Sequence, residues 1–161
     1  MSKRQYQSCS VTGKNSLRFW PVTVSPLRVF WNFFIISLCR LSPSFDVKNF
    51  LYRIIGVKVG KNASVGFMVM LDIFFPEEII IGENVIIGYN TTILGHEFLC
   101  HEWRKGKVVI EKDVMIGANC TVLPGVVIGE GAVVSAMSLV NCDIPPYSFY
   151  GGVPVRDLGA K

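Results

Sequence analysis

The only two histidines of the 161-residue chain, His96 and His101, lie five residues apart in the segment LGHEFLCHEWRKGK. An imidazole ordinarily has a pKa of about 6.5, so its neutral form can take a proton from a hydroxyl group and return it later. We predict that His96 is a general base and that His101 is a solvated loop residue near Glu102. Glu97 is a candidate for orienting the imidazole of His96, and an ordinary surface carboxylate is the alternative interpretation.

A six-residue rhythm that starts at Val57 indicates the scaffold that positions this segment. Alternate residues of a strand face the same side, and Gly or Asn permits the positive φ of a tight corner. Three strand-and-turn units close a triangular coil of about 18 residues, and successive coils stack by strand pairing. The pattern therefore predicts an all-β parallel β-helix of about four coils over residues 57–144. The inward aliphatic series is Val59, Val65, Leu71, Ile81, Ile87, Ile93, Ile110, Ile116, Val122, Ile128, Val134 and Val140.

The rhythm is interrupted twice, each time after the third unit of a coil. Ten positions instead of six separate Leu71 from Ile81, and seventeen separate Ile93 from Ile110. Counting alone therefore predicts that both insertions leave the coil at one shared corner, one coil apart.

These insertions, residues 72–78 and 94–107, are expected to form a pocket wall on a rigid scaffold. The larger insertion contains His96. In the smaller one, Asp72 is the best polar candidate for holding the hydroxyl of a substrate. The alternative for Asp72 is a turn residue at the corner of a coil.

The N-terminal segment, residues 1–56, differs from the repeat in charge and composition. Residues 1–61 contain ten Lys or Arg and one acid, Asp46, a net charge of +9, whereas the remaining hundred residues carry six basic and eleven acidic groups, a net −5. The apolar run Val29 to Cys39 is shorter than the roughly 20 residues of a membrane-spanning helix. We expect an amphipathic helical or irregular cap on the first coil, or peripheral docking of residues 1–50 on an anionic membrane. A solvated basic surface is the alternative.

The two ends of the repeat and the cysteines complete the organisation. Pro145-Pro146 is expected to stop the coil, so that the C-terminal tail, residues 145–161, folds back along the prism. Five scattered cysteines without a C-x-x-C pair form neither a disulfide framework nor a zinc signature, and they indicate the reducing cytoplasm, at the inner membrane face if the segment binds lipid. They are Cys9, Cys39, Cys100, Cys120 and Cys142.

The phrases LGHEF and KVVIEKDVMIGANCTVLPGVVIGEGAVVSAMSLVNCDIPPYSFYGGVPVRDL resemble those of hexapeptide-repeat acyltransferases, in particular the galactoside and maltose O-acetyltransferases. The resemblance covers roughly residues 57–158 and implies that the coils are left-handed. It also implies acetyl transfer from acetyl-CoA, as co-substrate, to a hydroxyl of a sugar or related small molecule, with His96 as the base. A homotrimer with active sites between subunits is expected, and no nucleic-acid partner.

The same resemblance implies a set of coenzyme-A-binding positions. A guanidinium is suited to clamping the nucleotide phosphates, and small residues would let the pantetheine arm approach the backbone. Core filling is the alternative for the two alanines. The implied positions are Ala118 in IGAN, Ala136 in VSAM, Asn141 and Cys142 before Pro-Pro, and Arg156 after GGVP.

Two other interpretations stay open. A non-catalytic β-helix could serve assembly or membrane association, although a purely structural coil would keep its hexapeptides unbroken. A γ-class carbonic anhydrase shares the β-helix but binds zinc through three histidines, and this chain has two. HEFLCHE also differs from the H-E-x-x-H zinc motif, because its histidines are five apart and one extra residue turns a helical ligand by about 100°. We predict no metal site.

Overall fold

The computed structural model describes residues 4–159 of the chain. A short strand, β1 (Gln7–Ser10), and a 3-10 turn (Ser16–Phe19) precede three helices. Pro26 is the first residue of the helix Pro26–Leu41, a position where its missing N–H leaves no hydrogen bond unmade. Ser44 caps the helix Phe45–Ile54 by accepting the backbone N–H of Val47. The helices are α1 (Trp20–Thr23), α2 (Pro26–Leu41) and α3 (Phe45–Ile54).

Sixteen short strands follow the helices. In chain order they are β2 (Lys58–Val59), β3 (Ser64–Val65), β4 (Met70–Leu71), β5 (Ile79–Ile81), β6 (Ile86–Ile87), β7 (Thr92–Ile93), β8 (His96–Phe98), β9 (Glu102–Lys105), β10 (Val108–Ile110), β11 (Met115–Ile116), β12 (Thr121–Val122), β13 (Val127–Ile128), β14 (Val133–Val134), β15 (Leu139–Val140), β16 (Phe149–Gly151) and β17 (Arg156–Asp157). Parallel pairing sorts most of them into three sheets, which form the faces of a prism. The first face is β2-β5-β10-β13, the second β3-β6-β11-β14-β16 and the third β4-β7-β12-β15.

The inward residues of the rhythm form the core of the prism. Each aliphatic residue from Val65 to Val140 is buried, and so is each residue two positions before it; only Val59, in the first coil, is half-buried. The polar members of the second set are satisfied internally. Thr91 donates its hydroxyl to the carbonyl of Gly117 at 2.9 Å, so its burial leaves no unpaired donor.

The glycines that follow the aliphatic residues serve close stacking and not, as we expected, positive φ. A Cβ on Gly82 would lie 2.7 Å from the backbone nitrogen of Lys112 in the next coil, closer than real Cβ contacts allow. The left-handed residue comes two positions later: Asn84 has a φ of 56°, and its amide donates to the Asp113 carboxylate at 2.7 Å. Asparagine tolerates this conformation better than most residues.

Helix α3 lies across the open end of the first coil and pairs with its free carbonyl groups. Lys48 donates from Nζ to the carbonyls of Val65 and Gly66, at 2.8 and 2.7 Å. Asn49 donates to the carbonyl of Ala63 at 2.8 Å. An edge that would otherwise invite strand addition is thereby covered.

The C-terminal part differs from the expected fold-back at Pro145-Pro146. Strand β16 continues the winding by pairing parallel with β14, and only β17 turns back, antiparallel to β16. Ile144 and Tyr150, six residues apart, are buried like earlier members of the rhythm. The continuation is hidden in the sequence because Ile144 follows Val140 by four positions instead of six. The β-helix therefore extends beyond residue 144 to Gly151.

Candidate active site

The two insertions meet at one corner of the prism, as counting predicts. Strands β4 and β7 pair with Leu71 opposite Ile93, so the two insertions that follow these residues begin next to each other at the end of the same face. Asp72 Oδ2 accepts the backbone N–H of Gly95 at 2.7 Å and is hydrogen-bonded to His96 Nδ1. The shared corner is therefore confirmed, and an imidazole is held on it.

Asp72 has a different role from the predicted one of holding a substrate hydroxyl. Its other oxygen, Oδ1, accepts the backbone N–H groups of Phe74 and Phe75 at 2.8 and 2.9 Å. With these bonds and those to Gly95 and His96, the carboxylate has four donors and no exposed surface. It cannot reach an acceptor molecule, so the substrate assignment is wrong and Asp72 is a positioning residue for the imidazole.

The orientation of His96 leaves one ring nitrogen available for chemistry. Because Nδ1 faces the Asp72 carboxylate, Nδ1 carries the proton in the neutral ring and Nε2 keeps its lone pair. The side chain is 12% exposed, so the ring is held firmly yet reaches solvent. Glu97, the candidate for orienting the imidazole, instead pairs with Arg4 at 2.8 Å, so the alternative interpretation of this carboxylate holds.

Aromatic rings from both insertions surround His96. Phe74 and Phe98 present their rings edge-on, each with its centroid 4.8 Å from the imidazole centroid, and Phe75 lies at 5.6 Å. Trp103 stacks on Phe75 at 5.8 Å, and Trp20 packs against Phe74 at 5.8 Å. An apolar wall of this kind limits the access of water and strengthens the hydrogen bond between the imidazole and the carboxylate. Sequence reasoning missed Trp20, Phe98 and Trp103, although the density of aromatic residues in LGHEFLCHEW is a visible signal.

A three-stranded antiparallel sheet fixes the His-bearing insertion. Strands β8 and β9 form a hairpin, in which His96 is opposite Lys105, and β1 adds to the outer edge of β9. The N-terminal chain also anchors itself to the prism, where the backbone N–H of Gln5 donates to the carbonyl of Gly125 at 2.9 Å. His101 lies exposed at the tip of the hairpin, and its carbonyl accepts the N–H of Val11.

A different corner brings together three of the predicted coenzyme-A positions. Ala118 and Ala136 follow β11 and β14 in adjacent coils, and the N–H of Met137 donates to the carbonyl of Ala118 at 2.9 Å. Ala118 is half-buried and Ala136 is exposed. Arg156 is exposed in β17, opposite Gly151, at the end of the same face. Two small residues and an exposed arginine thus belong to one sheet of the prism and its corner.

The other two predicted positions lie elsewhere. Asn141 follows β15 and is exposed at the corner that also holds His96, two coils further along. Cys142 is buried in the hydrophobic core, where burial raises the pKa of its thiol. It has the same inward parity as Val140, so its side chain faces the core and not an outside groove, and only its backbone remains available for the predicted contact with coenzyme A.

Polar and charged side chains line a cavity of about 470 Å³ beside the hairpin, bordered by Gln5, Gln7, Glu78, Lys105 and Lys107. Glu78 and Lys105 form an ion pair of 3.0 Å across it. Among the side chains of residues 4–159, no group of three His, Cys, Asp or Glu lies together in a way that could hold a metal ion.

The prism of six-residue units is shared with a class of bacterial transferases. Residues 107–142 match the family model described as "Bacterial transferase hexapeptide (six repeats)". Over 152 residues the chain is 55% identical to "Putative acetyltransferase YvoF" of Bacillus subtilis (strain 168), covering 94% of this chain and 88% of that one. The chain belongs to the family of hexapeptide-repeat acyltransferases, and membership implies left-handed coils.

Solved structures agree with this assignment. The chain is similar to a hexapeptide-repeat acetyltransferase of Vibrio cholerae O1 biovar eltor complexed with acetyl coenzyme A, with a TM-score of 0.64, 25% identity, and coverage of 83% of this chain and 87% of that one. It is also similar to a galactoside acetyltransferase in complex with coenzyme A, with a TM-score of 0.65, 25% identity, and coverage of 84% and 81%. The predicted family and the prediction of an acyltransferase are confirmed.

Proposed function

We propose that this protein is an O-acetyltransferase that moves the acetyl group of acetyl-CoA to a hydroxyl group of a sugar or a related small molecule. The observation that carries the proposal is the His96–Asp72 pair, held on the corner where both insertions meet. The acetyl-CoA and coenzyme A of the two solved relatives support the donor. The five free thiols support a reducing compartment such as the cytoplasm.

The imidazole supplies general-base catalysis in this proposal. Nε2 of His96 takes the proton of the acceptor hydroxyl as its oxygen forms a bond to the thioester carbonyl carbon. The tetrahedral intermediate then collapses, the carbon–sulfur bond breaks, and the imidazolium returns the proton to the leaving thiolate. Asp72 stabilises the imidazolium while it exists, and backbone N–H groups near the site would stabilise the oxyanion. The products are an acetyl ester and free coenzyme A.

The donor molecule fits the edge formed by Ala118, Ala136 and Arg156. The two alanines leave room for an extended pantetheine arm beside the backbone, and Arg156 offers a cation for the phosphates. This edge and the His96 corner belong to different corners of one prism, since the alanines follow the second face and His96 follows the third. A homotrimer, in which one subunit supplies the base and its neighbour the donor edge, would unite the two halves.

The test measures release of coenzyme A thiol from acetyl-CoA with a panel of galactosides, maltose, other sugars and simple alcohols. At least one acceptor is expected to raise thiol release above hydrolysis, and mass spectrometry should find the acetyl group on an oxygen of that acceptor. Thiol release that no hydroxyl compound increases would contradict the acceptor class. The mass in solution is a separate test of the trimer, which a stable, active monomer would contradict.

A further inference from the structure

The outward face of helix α2 is predominantly apolar. Six large apolar residues, from 47% to 82% exposed, lie in one stripe along the helix: Leu27, Phe30, Trp31, Phe34, Leu38 and Leu41. The opposite face packs on the protein through Val29, Ile35, Ile36 and Cys39. The helix therefore has apolar residues on both faces, and the core beneath it buries only one of them.

Helix α3 enlarges this apolar surface. Val47, Phe50 and Ile54 are exposed on its outward side, while Lys48, Asn49 and Tyr52 face the first coil. The two helices pack against each other. A soluble protein seldom leaves this many large apolar side chains together in water, so the surface indicates an apolar partner. We call the outward residues of α2 and α3 the cap face.

The charge of the N-terminal part of the chain, which contains the cap face, distinguishes between possible partners. Residues 1–61 contain ten basic residues and one acid, Asp46. Within the described part of the chain, only Arg4 and Arg28 among these cations form ion pairs with carboxylates, Glu97 and Glu77. Within residues 4–61, the exposed cations without such a pair are Lys14, Arg18, Arg53, Lys58 and Lys61.

A two-fold dimer that pairs the cap face with itself is disfavoured, because it would bring two sets of unneutralised cations together. An anionic bilayer complements both properties, since aromatic and aliphatic side chains enter the interface while Lys and Arg meet the headgroups. The abundance of Phe and Trp in the stripe is also typical of residues at the lipid–water boundary.

The length and packing of helix α2 favour a position on the surface of a bilayer over a position across it. In the described residues no single helix is long and apolar enough to span, and the one pair that passes together, Ser16–Thr23 with Pro26–Leu41, is bent by 97°. The inward side of α2 is already buried against the protein. We propose that the cap face docks peripherally on anionic lipid, with α2 in the plane of the interface. This docking is independent of the acyl-transfer proposal.

Sedimentation of the full-length protein with vesicles tests the docking. We expect binding to vesicles of phosphatidylglycerol and phosphatidylcholine, weaker binding to phosphatidylcholine alone, and a decrease with added salt. Replacing Phe30→Ser together with Phe34→Ser should weaken the partition by about tenfold or more, because each aromatic side chain loses its burial in lipid. Tyr147→Ser, another exposed aromatic residue at the far end of the prism, should leave the partition unchanged.

A second, independent variant tests the contribution of the basic residues to binding. Lys58→Ser with Lys61→Ser should weaken binding to anionic vesicles by about fivefold per charge. Lys112→Ser in the third coil should have no effect. Wild-type protein that stays in the supernatant with anionic vesicles, or a Phe30/Phe34 variant that binds as well as wild type, would overturn the proposal. So would a Phe30/Phe34 variant whose only change, by light scattering, is a smaller oligomer, because a second copy would then cover the face.

Discussion

Replacing Asp72 by asparagine perturbs the way in which the imidazole of His96 is held. The carboxylate accepts four donors, whereas an asparagine side chain has one oxygen and one NH2 group. If the oxygen keeps the two amides of Phe74 and Phe75, the NH2 faces the N–H of Gly95 and Nδ1 of His96. The opposite flip sets the NH2 against two amides and costs more, so the first arrangement should prevail.

The expected magnitudes follow from this geometry. Nδ1 of His96 must become an acceptor, which moves the ring proton to Nε2 and removes the base from the side that faces the substrate. General-base catalysis contributes about 10²–10⁴ in rate, so kcat should fall by at least about hundredfold. The buried N–H of Gly95 loses its partner, and an unsatisfied buried donor costs about 1–3 kcal/mol of unfolding free energy.

The assay compares steady-state thiol release from acetyl-CoA by wild type, Asp72→Asn, His96→Ala and the double variant. The double variant should be no slower than His96→Ala alone, because the two residues act as one unit. Glu97→Gln is the matched control, since that carboxylate is adjacent in sequence but pairs with Arg4, and its rate should stay within about threefold of wild type. Full activity of a folded Asp72→Asn variant would refute the positioning role.

Three further predictions concern the cysteines, the donor edge and the cap. In native protein only the exposed Cys9 and Cys100 should react quickly with a thiol reagent and all five cysteines after unfolding, whereas fast labelling of five native thiols would contradict the core. Arg156→Ala should raise KM for acetyl-CoA by about tenfold with little change in kcat, since it loses a charged contact to phosphate; an unchanged KM would remove Arg156 from the donor site. Lys48→Met should lower the unfolding free energy by about 1–3 kcal/mol in denaturant titration, because the buried carbonyl of Val65 and the half-buried carbonyl of Gly66 lose their donor, and unchanged stability would show that α3 does not need this contact.

Most of the prism could be predicted from the sequence, because the six-residue repeat reflects the alternation of inward and outward side chains along each strand. The inward positions and the shared corner of the two insertions could both be counted from residues such as Leu71 and Ile93. Cys142 could have been placed in the core by the same parity, since it lies two positions after the inward Val140. Its assignment to coenzyme A came from the family resemblance and overlooked this alternation.

The parts that could not be predicted depend on contacts without a periodic signal. The role of Asp72 is set by three backbone N–H groups and one imidazole that converge on it, and a turn aspartate gives no sign of that in sequence. The pairing of β1 with β9 joins residues nearly a hundred positions apart in a short polar strand, QSCS. The further winding to β16 was concealed by the shortened interval before Ile144.

The most direct measurement is the turnover of His96→Ala with an acceptor that wild type uses, alongside acetyl-CoA binding by calorimetry. If His96 takes the hydroxyl proton, kcat of the variant should fall by about hundredfold or more. The affinity for acetyl-CoA should be preserved, because the proposed donor edge lies at another corner of the prism. Turnover of a folded His96→Ala variant within about threefold of wild type would contradict the account, however well the prism itself is formed.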